Sequence, residues 1–281
     1  MIQWFPGHMN KALRVMGENI SLCQCVGYVL DARAPYSCLN PQFNKLFANK
    51  PTVFILNKCD LADKQIVDKW LSFFKERGHP CIALSSINSA EKNKLQATFL
   101  NACQEFTNTC KARGIIRPVR VMILGVPNSG KSTLINCLSA RKATVTGDKP
   151  GVTKGKQWVR LDNGLELLDT PGTLWPKFDD ELTGKHLFFI GSIKEEIVDI
   201  VTLAQDLLAE LAQLYSSLLI ERYKLTELLS PEETLKQICI KRGYLLSGNI
   251  PDLERGAKAI IDDFRKAKIG RICLEQPKQK L

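Results

Sequence analysis

Gly125-Val-Pro-Asn-Ser-Gly130-Lys131-Ser132 fits the spacing G-x-x-x-x-G-K-[ST]. Glycines at this spacing let the backbone wrap closely around an anion. The N–H groups at the start of a following helix then point at phosphate oxygens. A lysine placed like Lys131 reaches the outer phosphates, and a hydroxyl placed like Ser132 holds Mg²⁺. A chance glycine-rich turn would lack the flanks seen here. Val121-Met-Ile-Leu124 reads as a buried strand, and Leu134 to Leu138 continue as a helix. Pro127, Asn128, Ser129, Gly130, Lys131, Ser132 and Thr133 are therefore expected to line a nucleoside triphosphate.

Three further stretches narrow the nucleotide. Asn57-Lys58-Cys59-Asp60 fits N-K-x-D, the guanine-reading motif of GTPases. An aspartate there accepts from guanine N1–H and the 2-amino group. Adenine offers neither donor, so a buried carboxylate would go unpaired. Asn57 suits the other base edge, and the Lys58 stem suits the ring face. Leu84-Ser85-Ser86 closes the next strand and suits a backbone contact to guanine O6. Asp169-Thr-Pro-Gly172 fits D-x-x-G, with Asp169 near Mg²⁺ and the Gly172 N–H near a γ-phosphate. Thr153 lies between the P-loop and D-x-x-G, the interval in which a Mg²⁺-binding switch threonine must fall. In an ordinary GTPase the P-loop precedes N-K-x-D. Here the order is reversed, and no second N-K-x-D follows residue 172. One domain with permuted connectivity accounts for all five elements.

The elements that must hold these residues alternate along the chain. Strands are expected at 26–30, 52–56 and 81–84, each outside the P-loop strand. Helices are expected at 9–20, 40–47, 63–77 and, as one long element, 95–113. In 63–77, apolar residues recur at spacings of three and four, and Gly78 ends the run. Residues 141–156 lack apolar periodicity and read as a loop. Residues 157–161 and 165–168 read as a hairpin around Asp162-Asn-Gly164. Alternation of strand and helix implies a mostly parallel sheet covered on both faces. From residue 176 the pattern is helical only. Ser192-x-x-Glu195 suggests a capping box, Ser230-Pro231 opens a second helix closed by Gly243, and 252–268 forms the last. The expected architecture is an α/β domain over 1–175, a circularly permuted P-loop GTPase domain, followed by an all-α domain over 176–281.

Composition limits the alternatives. The chain is 44% hydrophobic, as a globular protein is. No apolar run approaches a membrane span, and the N-terminus shows no targeting pattern, so a cytoplasmic location is expected. The ten cysteines form no C-x-x-C pair and read as reduced, mostly buried small hydrophobes. The net charge of +10 is uneven: residues 1–175 carry 23 basic against 12 acidic residues, and 176–281 carry 16 against 17. A surplus of that size suits a polyanionic partner, most simply nucleic acid.

With Gln3-Trp-Phe-Pro-Gly-His-Met9 at one end and Lys241-Arg-Gly-Tyr244 and Gly270-Arg271 at the other, nearly the whole chain resembles the circularly permuted GTPases of the ribosome biogenesis GTPase A family. The resemblance implies GTP hydrolysis on a late precursor of the large ribosomal subunit, release afterwards, and rRNA contact by the helical domain. It implies a monomer away from the ribosome, GTP and GDP as ligands, Mg²⁺ as cofactor and no membrane partner. Thr173 stands where many GTPases carry a water-orienting glutamine. By resemblance His8 supplies catalysis, ordered by the ribosomal particle. Asn128 is, by the same carry-over, a K⁺ ligand beside the phosphates. Movement of 170–176 with the γ-phosphate would re-aim the helical domain. The missing glutamine also fits a different class, a nucleotide-gated RNA-binding protein with negligible catalysis of its own.

Overall fold

Apolar side chains that alternate between two faces build the central strand β1 (Cys25–Asp31), which is buried along its whole length. Val26, Tyr28 and Leu30 join one hydrophobic cluster, while Cys25 and Val29 join another on the opposite face. In the computed structural model, which describes residues 8–85, 91–139, 157–161, 163–178, 180–195 and 198–277, this strand lies inside a six-stranded sheet of order β3-β2-β1-β4-β6-β5. The other strands are β2 (Thr52–Asn57), β3 (Cys81–Leu84), β4 (Val119–Leu124), β5 (Gln157–Arg160) and β6 (Leu165–Asp169). All neighbours run parallel except the edge pair β5–β6, the expected hairpin.

Helices α1 (His8–Asn19), α2 (Pro41–Phe47) and α3 (Lys64–Glu76) bury Met9, Phe43 and Trp70 in the larger cluster. Side-chain caps set two of these starts: Asn40 accepts from the Gln42 N–H, and Asp63 from the Gln65 N–H. Helices α4 (Lys92–Ala102) and α6 (Lys131–Leu138) cover the other face through Leu95, Phe99, Leu134 and Ile135. The single helix expected over 95–113 is two. The chain breaks at Cys103, and α5 (Gln104–Ala112) buries none of its residues. Leu95, Phe99 and Cys103 hold the first piece to the sheet, and the second keeps only the partly buried Phe106 against that cluster.

The remaining helices are α7 (Glu181–Phe189), α8 (Ile200–Leu214), α9 (Ser216–Tyr223), α10 (Pro231–Arg242) and α11 (Leu253–Arg265). Ser230 caps α10 and Gly243 closes it with φ 67°, as expected. The capping box at Ser192 is not formed. Asp199 caps α8 instead, while the Ser192 hydroxyl donates to Pro127 O at 2.7 Å. The larger cluster continues from the sheet through Leu187, Leu207 and Ile260 to Ile272 and Leu274, so the helical segment shares its core with the α/β part. Among the described residues no helix is long and apolar enough to cross a membrane, no cysteine is bonded to another, and no cluster of metal-ligand type occurs.

Candidate nucleotide site

The strand order places β1 between β2 and β4, with Asp31 paired to Asn57 and Tyr28 to Leu124. The loops after β2 and β4 therefore emerge side by side at the carboxyl ends of parallel strands, where open α/β sheets bind ligands. Their contact is direct. The Asn57 amide donates to Ser129 O at 2.7 Å, and Lys58 Nζ donates to Asn128 O at 2.6 Å. Asn57, expected at the base edge, thus braces the two loops with its amide N–H. Lys58 and Asn128 both hold left-handed backbones, φ 60° and 57°. Non-glycine residues in that region carry strain that the surrounding structure must hold.

At the phosphate end, Gly130 caps α6 with φ 94° and starts the helix at Lys131. The Lys131 side chain is buried and turns back to donate to Gly125 O at 3.1 Å and Val126 O at 2.7 Å. Burial pushes its pKa down to about 8, with Asp169 opposing. Ser132 Oγ donates to Asp169 Oδ2 at 2.9 Å. Asp169 Oδ1 is buried with no hydrogen-bond partner among the described residues, and burial raises this carboxyl above the usual range, against Lys131 and Ser132. The D-x-x-G glycine lies on the P-loop: a Cβ at Gly172 would stand 2.6 Å from Pro127 Cα and 2.9 Å from Lys131 Nζ. Beyond it Thr173 and Leu174 are fully buried, and the Leu174 N–H meets Met9 Sδ at 3.4 Å. The start of α1, where His8 stands, is therefore next to the D-x-x-G segment. The His8 side chain, Ser86 and Thr153 lie outside the described residues.

At the base end, Asp60 and Ser85 line one cleft of about 510 Å³. Its supports were not read from the sequence. Asp31, fully buried, takes Lys58 Nζ at 3.0 Å and Arg33 Nη2 at 2.8 Å. Burial alone would raise the Asp31 carboxyl, but Arg33 and Lys58 hold it well below the usual carboxylate range. Arg33 also donates to Arg265 O at 3.1 Å, reaching the end of α11. Asn128 Nδ2 donates to Gly191 O at 2.8 Å, tying the P-loop to the end of α7. The signal available was an acid at the end of a buried strand, two residues before an arginine. Neither group is left in such a place without a partner.

A buried lysine beside a glycine-rich loop, an orphaned carboxylate oxygen facing a serine, and an N-K-x-D loop braced on both define a P-loop GTPase domain of permuted order. The sequence profile described as "50S ribosome-binding GTPase" matches residues 120–238, starting at the P-loop strand. "Ribosome biogenesis GTPase A" of Priestia megaterium is 39% identical, over 99% of this chain and 98% of that one. The protein of the same name from Thermotoga maritima is 34% identical over 98% and 95%. The crystal structure of GNP-bound YlqF from T. maritima superposes with a TM-score of 0.66 at 29% identity, over 95% of this chain and 99% of that one. The chain belongs to the ribosome biogenesis GTPase A family, and it is a GTPase.

Proposed function

We propose that this GTPase is an assembly factor for the large ribosomal subunit, binding a late precursor with GTP and leaving after hydrolysis. The observation that carries the reading is the brace between the two loops. It holds the guanine-reading motif on the P-loop, so one ligand spans both. The family's name and the basic surplus of residues 1–175 point to a ribosomal, RNA-rich partner. In this reading the helical segment 176–281 makes the rRNA contact, and the protein acts as a monomer in the cytoplasm.

Asp60 accepts from the guanine edge, Lys58 lies on the ring, and Ser85 with Ser86 offers backbone N–H groups. Pro127, Asn128, Ser129, Gly130, Lys131, Ser132, Thr133 and Gly172 surround the phosphates. Mg²⁺ fits the donor set: the unbonded, buried Asp169 Oδ1 beside the Ser132 hydroxyl is what a hydrated divalent cation satisfies. Thr153 completes that set. When bound, the cation neutralises charge on the β- and γ-phosphates. Lys131 leaves its carbonyl contacts for phosphate oxygens, which a desolvated ammonium gains most from meeting. Asn128 would hold K⁺ beside the phosphates, supplying a fixed positive charge there.

The buried Thr173 and Leu174 leave no water-orienting side chain directly after D-x-x-G. The proposal gives that task to His8, at the start of the helix that meets this segment, ordered by the particle. The test is turnover with purified large-subunit precursors. His8→Ala should keep GTP affinity and lose particle-stimulated hydrolysis. Unchanged stimulated turnover would remove His8 from the mechanism. Equal co-sedimentation with large-subunit particles in GDP and in a non-hydrolysable GTP analogue would end the assembly-factor cycle.

A further inference from the structure

The Gly270-Arg271 pair belongs to the sequence pattern but has no part in the reading so far. The structure puts it beside the base. After α11 the chain turns back and runs along the carboxyl ends of β1 and β2. The Ile272 N–H donates to Leu61 O at 3.3 Å, one residue past Asp60, and the Leu274 N–H donates to Arg33 O at 2.8 Å. Ile272, Cys273 and Leu274 are buried in the shared core. The Trp70 indole N–H donates to Glu275 O at 3.2 Å. The Glu275 carboxylate accepts from the Tyr36 and Ser37 N–H groups and from His186. A segment pinned at so many points fixes where the side chains it carries leave the backbone.

That side chain is Arg271, exposed between buried Ile269 and Ile272. It lines the same cleft as Asp60 and Ser85. No ion pair or hydrogen bond joins its guanidinium to any described residue. Burial and Asp60 raise the Cys59 thiol pKa, and Arg271 is close enough to oppose them. Gly270 sets the approach. Its φ is +151°, a backbone that favours glycine, and a Cβ there would stand 2.6 Å from Leu218 Cδ1, so the tail lies close against α9.

We infer that Arg271, carried by the C-terminal tail, is a guanine-binding residue that closes the base end of the nucleotide site by laying its guanidinium on the purine. The inference rests on the reading of Asp60 as the guanine acceptor. A planar, weakly hydrated guanidinium stacks on an aromatic face in a way that an ammonium does not. With the Watson–Crick edge given to Asp60 and one face to the Lys58 stem, the opposite face is what remains for it. Because the contact is to the base, GDP and GTP gain equally. The helical segment then senses whether the site is filled, independently of the γ-phosphate.

The test is equilibrium binding of fluorescent GDP and GTP to the full chain, with thermal unfolding as a check on folding. Arg271→Ala should weaken both nucleotides alike, by roughly tenfold, and Arg271→Lys should recover little of the loss. Unchanged affinity in Arg271→Ala overturns the inference, as does a loss confined to GTP or full rescue by lysine. Loss of rRNA binding with nucleotide affinity intact also overturns it, in favour of an RNA contact. Asp60→Asn separates the two readings. It replaces one of the two acceptor oxygens that guanine N1–H and its 2-amino group need by a donor, and should remove most guanine affinity. If it does not, the reading of Asp60 fails; if it does and Arg271→Ala is silent, only the present inference fails.

Discussion

Behind the base-reading loop, Lys58, Asp31 and Arg33 satisfy one another, and Arg33 passes the contact on to α11. At the phosphate end, Lys131 rests on carbonyl oxygens, and Asp169 keeps one buried oxygen unbonded. The frame behind the base-reading loop is thus closed by the protein itself, while the phosphate end keeps groups that a ligand would satisfy. The difference follows from what each end must do. Guanine is common to GTP and GDP, so its reader gains from being rigid. The γ-phosphate comes and goes, so groups that meet it must be able to change partners.

The comparison breaks most readily at Asp31. Asp31→Ala leaves the buried Arg33 guanidinium without its carboxylate, and should cost about 3–5 kcal/mol of stability in urea titrations. Guanine nucleotide affinity should fall with it, because Lys58 loses its brace. A variant as stable as the parent would show that the base end is not held by this ion pair.

A second support of the base end is the His186 clasp. His186 donates to Glu275 and to Glu210, each at 2.8 Å. Burial alone would lower its pKa, but the two carboxylates raise it to about 9. A folded-state pKa above the unfolded value near 6.5 means that this stabilisation is complete below about pH 6.5 and is lost as pH rises through about 9. The contribution is on the order of 3 kcal/mol. Lys131 moves the other way, its pKa being lowered, so the comparison is with His186→Gln. The stability difference between the two proteins should shrink from pH 6 to pH 9.5. A difference that stays constant would contradict the charged clasp.

The smallest effect belongs to the phosphate end. The Thr173 hydroxyl is buried without a hydrogen bond among the described residues. Thr173→Val removes an unsatisfied group and should raise apo stability by up to about 1 kcal/mol. If this hydroxyl is finished by the bound ligand and its water, GTP turnover should fall at the same time. A variant that loses stability would place Thr173 with the self-satisfied residues instead.

The motifs assigned to the ligand were legible because each is local. Gly125 to Ser132, Asn57 to Asp60 and Asp169 to Gly172 carry their chemistry within a few residues, and strand periodicity placed them at strand ends. What holds them is not local. Ser192-x-x-Glu195 has the form of a capping box, yet Ser192 bonds to Pro127 and Glu195 pairs with Arg265. Tertiary partners outcompeted a helix start. The break at Cys103 has no glycine or proline to announce it. The Lys58–Asp31 pair joins residues 27 positions apart and the docked tail joins residues up to 239 apart. Periodicity carries no record of that.

The central claim is that the loops after β2 and β4, placed in reverse order in the chain, form one nucleotide site. Hydrogen–deuterium exchange of the full chain with and without GDP and Mg²⁺ tests it directly. The account predicts slowed exchange in residues 57–61 and 125–133 together, at the same GDP concentration. Protection confined to 125–133, with 57–61 unchanged at saturation, would contradict it.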